Sequence, residues 1–489
     1  MGSLEDIREN RLRKLELLKE KGINPYPIKV NQDFQLKEII DNFSKLSKRK
    51  KAIFLVGRIM SLRPQGGLIF FNFSDGTALF QGLIKKTELD KQSIDLFDET
   101  VDVGDFLELK GILFKTKRGE KTILTQDWRM ISKSLRPLPE KWHGLQDTEE
   151  RFRKRYLDIL MSEEVKERFI IRSRIISEVR NILDKAGYIE VDTPVLQSIY
   201  GGANAKPFIT HHNVLDIDLY LRISDELYLK RIITGGMPKV YEIARDFRNE
   251  GIDHTHNPEF TMLEFYESYS DSKKQMAFVE KMIKSLVKKI HKKNIINYGN
   301  DSINFLKKFE IITYYDLFKK YTLINYPETI SEDDLSITAK RLGVEINKSD
   351  SKQKILDEIF KKVCKPKLIQ PTFIIDYPAD LLPLAKKYED NLNIVDAFQL
   401  YIGGIELVKA FSELNDPIDQ KERLLNQEKN KNAGDKEAQP YDKDFIEAME
   451  YGMPPAGGVG IGIDRLTMLM TNTQNIKEVI LFPTMRSRE

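Results

Sequence analysis

Five short apolar runs, 53–59, 68–73, 78–84, 106–114 and 122–128, are rich in β-forming residues and predict strands. Turn pairs punctuate them: Gly66-Gly67, Asp75-Gly76 and Arg118-Gly119. Five short strands in so compact a stretch predict a small closed barrel, for which the OB-fold is the five-stranded candidate. Ahead of them, residues 3–22 read as a highly charged amphipathic helix ending at Gly22. After them, Arg136-Pro137-Leu138-Pro139 predicts a stiff linker, because proline fixes φ and cannot join a ladder. From about residue 149 the pattern becomes mixed. Helical periodicity runs through 163–186, then strands, a helix near 226–235, strands again, and a helical block at 272–293. The polar stretch 426–440 predicts an exposed loop. The expected organisation is α+β: 1–51 a helical extension, 52–134 the barrel, 135–148 a linker, and 149–489 a larger domain.

Composition narrows the classes. With 41% hydrophobic residues among 489, the chain has ample material for cores and is not disordered. No apolar run approaches the ~18 residues of a membrane span, so no membrane association is expected. The single Cys364 excludes an intrachain disulfide framework and a Cys-rich zinc site, and reads as a small buried hydrophobe. Arg8, Arg11, Arg13, Lys14 and Lys19 are mixed with acids and no apolar stretch follows them, so a secretory signal is not expected. The cytoplasm is the expected compartment. The formal charge of +3 says little, but basic runs at Lys45–Lys51 and Lys281–Lys293 suit either a solvated face or a phosphate backbone.

Nucleotide chemistry is suggested by two segments, neither of them a P-loop, whose G-x-x-x-x-G-K-[ST] spacing is absent. In Gly457-Gly458-Val459-Gly460-Ile461-Gly462-Ile463-Asp464-Arg465 the glycines alternate with apolar residues. They are wrongly spaced for a dinucleotide fingerprint; the alternation predicts a strand with one bare face, which something flat or bulky could approach. Earlier, Arg248 follows a strand, a loop carries His256, and a returning strand carries Phe260, Glu264 and Tyr266. Such a hairpin clamp could hold a phosphate on Arg248 and stack a purine on Phe260. Glu264 and Tyr266 lie two apart on a strand and so share a face.

These segments resemble class II aminoacyl-tRNA synthetases. Phe247-Arg248-Asn249-Glu250 with Asn257-Pro258-Glu259-Phe260-Thr261 is similar to motif 2, Gly460-x-Gly462-x-Asp464-Arg465 to motif 3, and Gly187-Tyr188-Ile189-Glu190-Val191-Asp192-Thr193-Pro194 to motif 1. Arg153-x-Arg155-Tyr156-Leu157-Asp158, Gly201-Gly202-Ala203, Phe411-Ser412-Glu413-Leu414-Asn415-Asp416 and Leu481-Phe482-Pro483 narrow the resemblance to the bacterial-type lysyl-tRNA synthetases. The resemblance runs from about residue 5 to the C-terminus.

It implies an OB-fold that reads an anticodon, a catalytic domain built on an antiparallel sheet flanked by helices, and a homodimer with Pro194 at its interface. The implied reaction joins L-lysine to ATP as lysyl-adenylate, then passes the lysyl group to tRNA(Lys). Arg248, Arg465 and Glu406 are the implied catalytic residues. Glu250, His256 and Phe260 join them around ATP. Gly202, Glu226, Glu264, Tyr266, Lys409, Phe411 and Glu413 are implied to surround the substrate lysine. Glu226 and Gly202 would hold its α-amino group; Glu264 and Glu413, with Tyr266 beside them, would meet its ammonium. Two carboxylates favour lysine over an acidic or amide substrate, which would want a cation there. Magnesium is implied as cofactor, more than one ion per subunit, at Glu406 and Gln399. Phe70, Gln81 and Glu120 match anticodon-reading positions, an aromatic to stack with an amide and a carboxylate for base edges; Phe70 taken alone also suits a barrel core.

Two positions depart from the family's pattern. Gln399 stands where a second metal-side glutamate is expected, which removes one formal charge, and Lys409 stands where an asparagine is expected at the substrate carboxylate. Ile405 and Leu382 are smaller departures. They keep open a non-catalytic tRNA-binding paralogue; a lysyl-transferase with a non-tRNA acceptor is a further alternative, against which the barrel with Phe70, Gln81 and Glu120 argues.

Overall fold

Five strands of the N-terminal part close into a barrel, in the order first, second, third, fifth, fourth. They are Ile53–Gln65, Leu68–Ser74, Leu79–Lys85, Phe106–Lys115 and Lys121–Ser132; four of the anticipated runs are extended and the third is shifted by one residue. The pairings are antiparallel except that between the third and fifth strands. The computed structural model describes residues 3–139, 145–322, 324–347, 351–435 and 437–488. Residues 140–144 of the anticipated linker lie outside the described residues. The chain divides into two compact units, Met1–Leu145 and Gln146–Glu489.

Alternation decides which side chains fill the barrel. Ile69, Phe71 and Phe73 are buried in its core, so Phe70 points to the opposite face. The Phe71 ring is accommodated because position 82 is glycine; a Cβ there would lie 2.1 Å from it. The charged N-terminal segment forms helix Leu4–Glu20, started by a Ser3 capping box and followed by Gly22 at φ +72°. Below the barrel, the fully buried Lys133 ammonium donates to Thr100 O (2.8 Å), Asp102 Oδ2 (2.6 Å) and Asp105 Oδ2 (2.7 Å).

The C-terminal unit is built on an eight-stranded sheet. Its order is Glu310–Thr313, Thr372–Pro378, Ile394–Ile402, Ile405–Ser412, Ala456–Gly462, Glu259–Ser268, Lys239–Phe247 and Ile189–Glu190. The inner strands are antiparallel, and the outermost pair at each edge is parallel, so the sheet is mixed. Helices Glu163–Lys185 and Ser272–His291 cover one face, where Ile175, Val179, Ile283 and Leu286 pack on Leu263, Phe265, Val459 and Ile461. Helices Glu226–Thr234 and Lys443–Glu450 pack on the other face with Tyr266, Phe411 and Ala456.

One expectation is corrected. Residues 426–432 belong to helix Pro417–Asn432, started by Asp416 and Pro417, and Ala438 and Gln439 are buried. Lys, Gln and Glu are good helix formers, so low apolar content there marked the solvent side of a helix. The pattern also passed over helices Leu36–Ser47, Lys91–Thr100, Tyr314–Tyr321, Glu332–Arg341 and Lys352–Ile359. Among the described residues, no helix is long and apolar enough to cross a membrane.

Replacing Lys133 by Met leaves the buried Asp105 without its counter-ion. A loss of roughly 3–5 kcal/mol is expected for the barrel unit, read as an earlier unfolding transition of that unit in a thermal melt.

Candidate active site

The glycine segment is the strand Ala456–Gly462, and its register explains the cavity beside it. Gly460 stands opposite Glu264 on one side and Lys409 on the other; Gly458 stands opposite Tyr266 and Phe411. Because cross-strand partners share a face, four functional side chains converge over a floor with no side chains of its own. Val459 and Ile461 point into the core behind. A Cβ at Gly458 would lie 2.0 Å from Glu413 Oε1 and 2.4 Å from Tyr266. The bare face is therefore needed even before a ligand enters.

A cavity of about 410 Å³ opens over this floor. Its lining brings together Gly202, Glu226, Arg248, Glu250, His256, Phe260, Glu264, Tyr266, Glu406, Lys409, Phe411 and Arg465. Glu413 stands just behind the lining at Gly458. Gln399 is not part of it: its Oε1 accepts from Tyr377 and Tyr401 hydroxyls, both at 2.8 Å. The Tyr401 hydroxyl also lies 3.2 Å from Glu406 Oε2, and these two acceptors share its one proton, so Gln399 is linked to Glu406 through a tyrosine.

At the cationic end, the hairpin strands Lys239–Phe247 and Glu259–Ser268 pair from Lys239 opposite Glu267 to Phe247 opposite Glu259. The Arg248 N–H closes the loop on Pro258 O (2.8 Å). The Arg248 guanidinium donates to Ile223 O (3.3 Å) and lies 5.0 Å from the centre of the Phe260 ring. Arg465 donates to Glu406 O (3.1 Å) and to His256 Nε2 (3.0 Å). His256 Nδ1 faces Asp253 Oδ2 at 2.9 Å, which fixes the tautomer with the proton on Nδ1. Burial opposes charge on Asp253, but the Thr255 N–H and His256 outweigh it and hold the carboxyl down to about 2. Asp464 anchors the next helix by accepting from Thr261 N (2.6 Å) and pairing with Arg172 (2.8 Å). The Lys409 side chain lines the cavity and makes no hydrogen bond or ion pair among the described residues.

The other end is acidic and dry. Glu264 accepts from Ser224 (2.9 Å) and from Tyr266 OH (2.9 Å). Burial, with Glu226 and Asp246 nearby, pushes its carboxyl up to about 8. Asp225, Asp246 and Glu264 are buried with oxygens within 4.8 Å of one another. Burial raises Asp246 to about 6 against the pull of Arg248 and Arg222, and burial with Glu264 nearby raises Asp225 well above the usual carboxylate range. Arg222 binds Glu242 (2.6 Å) and Arg245 O (2.8 Å), tying the hairpin to this cluster. The Gly202 N–H donates to Gln439 Oε1 (2.9 Å), and Gly202 takes φ +88° against Ser224 and Glu226.

Ser224, Arg222, Asp225, Lys230 and Gln439 went unnoticed in the sequence. Only Lys230 left a legible signal, four residues after Glu226 on one helix face.

On the barrel, Phe70 is half-buried, Gln81 Oε1 accepts from Thr122 (2.8 Å), and Glu120 is exposed. Asn72 pairs with Gln81 and Gln81 with Thr122, so Phe70 and Gln81 share the outer face. Pro194 is exposed, followed by exposed Val195 and Leu196.

Residues 147–486 match the family model of tRNA synthetases class II (D, K and N), and residues 53–131 match that of the OB-fold nucleic acid binding domain. The chain is 46% identical to the lysine–tRNA ligase of Pelotomaculum thermopropionicum over 99% of its length and 96% of that protein. It is likewise 46% identical to the enzyme of that name from Syntrophomonas wolfei, over 99% and 98%. It is 43% identical to that of Halalkalibacterium halodurans, again over 99% and 98%.

An acid whose folded value lies above its unfolded one keeps a proton that the unfolded chain has lost. Ligand-free stability therefore falls as pH rises from about 4.5 to about 8. Glu264→Gln should remove up to about 1.4 kcal/mol per pH unit of that fall, read from denaturation midpoints across this window.

Proposed function

We infer that this chain, which belongs to the class II tRNA synthetases of the D, K and N group, is a lysine–tRNA ligase. It activates lysine with ATP and transfers the lysyl group to tRNA. The observation that carries the choice of lysine is the acidic end of the cavity, where Glu264 and Glu413 meet over the bare face of Gly458 and Gly460. A buried ammonium needs carboxylate partners, and an acidic or amide substrate would find only repulsion or unpaired charge there.

In the first step an oxygen of the substrate carboxylate attacks the α-phosphorus of ATP in line, the bond from that phosphorus to the bridging oxygen of the β-phosphate breaks, and pyrophosphate leaves. Two anions must meet, so cations have to be gathered beforehand. We assign Arg248 to the α-phosphate and Arg465 to the distal phosphates. Arg465 is held for that task by Glu406 O and His256. Phe260 offers a face for adenine, with Glu250 beside it. Lys409, unpaired in the cavity, is assigned to the substrate carboxylate. Glu226 and Gly202 take the α-amino group, and Phe411 and Tyr266 wall the aliphatic chain. The protein positions and neutralises; no covalent protein intermediate is required.

Magnesium fits the cavity through Glu406, the carboxylate that lines it beside the phosphate-binding arginine. A bound ion would neutralise phosphate charge, its other ligands being phosphate oxygens and water. Gln399 bears on that site through Tyr401. On the barrel we assign Phe70, Gln81 and Glu120 to the anticodon of tRNA(Lys), supported by the outward turn of Phe70. We further propose that the protein is a cytoplasmic homodimer with Pro194 and its exposed apolar neighbours at the interface. The four-part division 1–51, 52–134, 135–148 and 149–489 is our proposal for its modules.

ATP–pyrophosphate exchange tested with each of the twenty amino acids should respond to lysine alone. Binding of tRNA without any exchange would favour the non-catalytic paralogue, to which Gln399 and Lys409 give a specific motive.

Phe70→Ala should reduce kcat/KM for tRNA roughly ten- to hundredfold, since stacking on one base contributes ~1–3 kcal/mol. Lysyl-adenylate formation should stay near wild type, because Phe70 does not line the cavity. Equal losses in both steps would mean that Phe70 only holds the fold. An acceptor other than tRNA would leave charging insensitive to the substitution.

A further inference from the structure

We propose that Lys230 is a positioning residue that sets the charge of the lysine pocket. Its buried ammonium ties Glu226 to Glu413 and leaves Glu413 Oε1 and Glu264 to meet the substrate's side-chain ammonium. The proposal rests on the reading that the cavity takes lysine.

Lys230 lies one turn beyond Glu226 on the helix Glu226–Thr234 and is completely buried. Its Nζ is 2.6 Å from Glu226 Oε1, forms an ion pair with Glu413 Oε2, and lies 5.4 Å from the centre of the Phe411 ring. Glu226 is assigned to the α-amino end of the substrate and Glu413 to the opposite end. One internal cation thus grips the anchors of both ends. Among the described residues Glu413 pairs with no other cation, and beyond that ion pair neither of its oxygens has a hydrogen-bond partner.

The charges explain why the cation is there. Glu226, Glu264 and Glu413 are three acids, whereas lysine brings two ammonium groups. A third acid without a cation in a dry pocket would take a proton instead. Burial pushes Glu413 up, and Lys230 is the strongest group pulling it back. Burial pulls Lys230 down, but Glu226 and Glu413 together outweigh it and hold it above its ordinary value. The remaining groups facing the pair do not replace it. Glu264 and Asp225 add acid, Tyr266 is held uncharged by burial, and Arg231 on the same helix is already paired with Asp442 (2.5 Å).

Lysine binding to the full-length protein, measured calorimetrically from about pH 6.5 to about 9 in two buffers of different ionisation enthalpy, tests this. In Lys230→Met, affinity should fall about tenfold or more near pH 7 and recover as pH rises, with more protons released per lysine bound. A uniform loss at every pH with wild-type proton release would mean that Lys230 only packs, and would overturn the proposal. Unchanged binding would do the same. Lys230→Arg keeps the charge and should keep the wild-type pH profile whatever its absolute affinity, which covers the case in which the Met variant does not fold; a shifted profile there would also overturn it. Wild-type protein that binds no lysine at any pH would instead overturn the reading of the pocket, and the proposal with it.

Discussion

Buried negative charge is the constraint around which the C-terminal unit is organised. Asp225, Glu226, Asp246, Glu264 and Glu413 converge near one face of the sheet, away from water. Isolated carboxylates in such a place would cost several kcal/mol each. The structure meets that cost in two ways. Cations are threaded among the acids, Lys230 between Glu226 and Glu413 and Arg222 between Glu242 and Asp246. The rest is met by protons, as the raised carboxyls of Glu264 and Asp225 indicate. A pocket left with acids in search of positive charge is selective for a cationic substrate by its own electrostatics. The same acids weaken the empty protein as pH rises, so recognition and stability pull against each other at Glu264.

The second constraint is steric and concerns the sheet floor. Two strands carrying functional side chains flank a strand that carries none on that face. Glu413 Oε1 and Tyr266 already occupy the space a side chain at Gly458 would need. The glycines thus serve the pocket before they serve the nucleotide. At the end of the same strand the chain turns into a helix whose Asp464 is fixed by Thr261 and Arg172. Arg465 is consequently presented to the cavity from a rigid base, and His256 in the hairpin loop steadies it from the other side.

Gln399 and Lys409 are cross-strand partners, one losing a formal charge relative to the family's pattern and the other gaining one. Lys409 reaches the cavity unpaired, whereas Gln399 is absorbed into a tyrosine pair behind Glu406. That end of the cavity is therefore more positive than a glutamate–asparagine pair would make it. Under the proposed assignment of Lys409 and Arg248, the added charge would fall where the attacking carboxylate and the phosphates must be neutralised.

Local pattern alone determined the barrel, because β-rich runs and turn glycines are short-range properties that any window of the chain displays. It also determined the bare-faced glycine strand and the pairing of Glu264 with Tyr266, since period-two geometry requires no partner to be known. The helix through 426–432 was lost for the opposite reason: its exposed side carries no apolar signal, and the few buried positions that hold it, Gln420 and Leu424, are recognisable only once their neighbours are in place. The motifs named the residues around the cavity but not their counter-ions. Glu226 and Lys230 are visibly one turn apart, yet nothing in the chain order says that Glu413, far along the sequence, closes on the same ammonium. Ser224, Arg222 and Gln439 are likewise ordinary in sequence and decisive in place. Burial and long-range charge pairing arise only when distant strands and helices pack, so the tertiary structure alone decided how the pocket's charge is balanced.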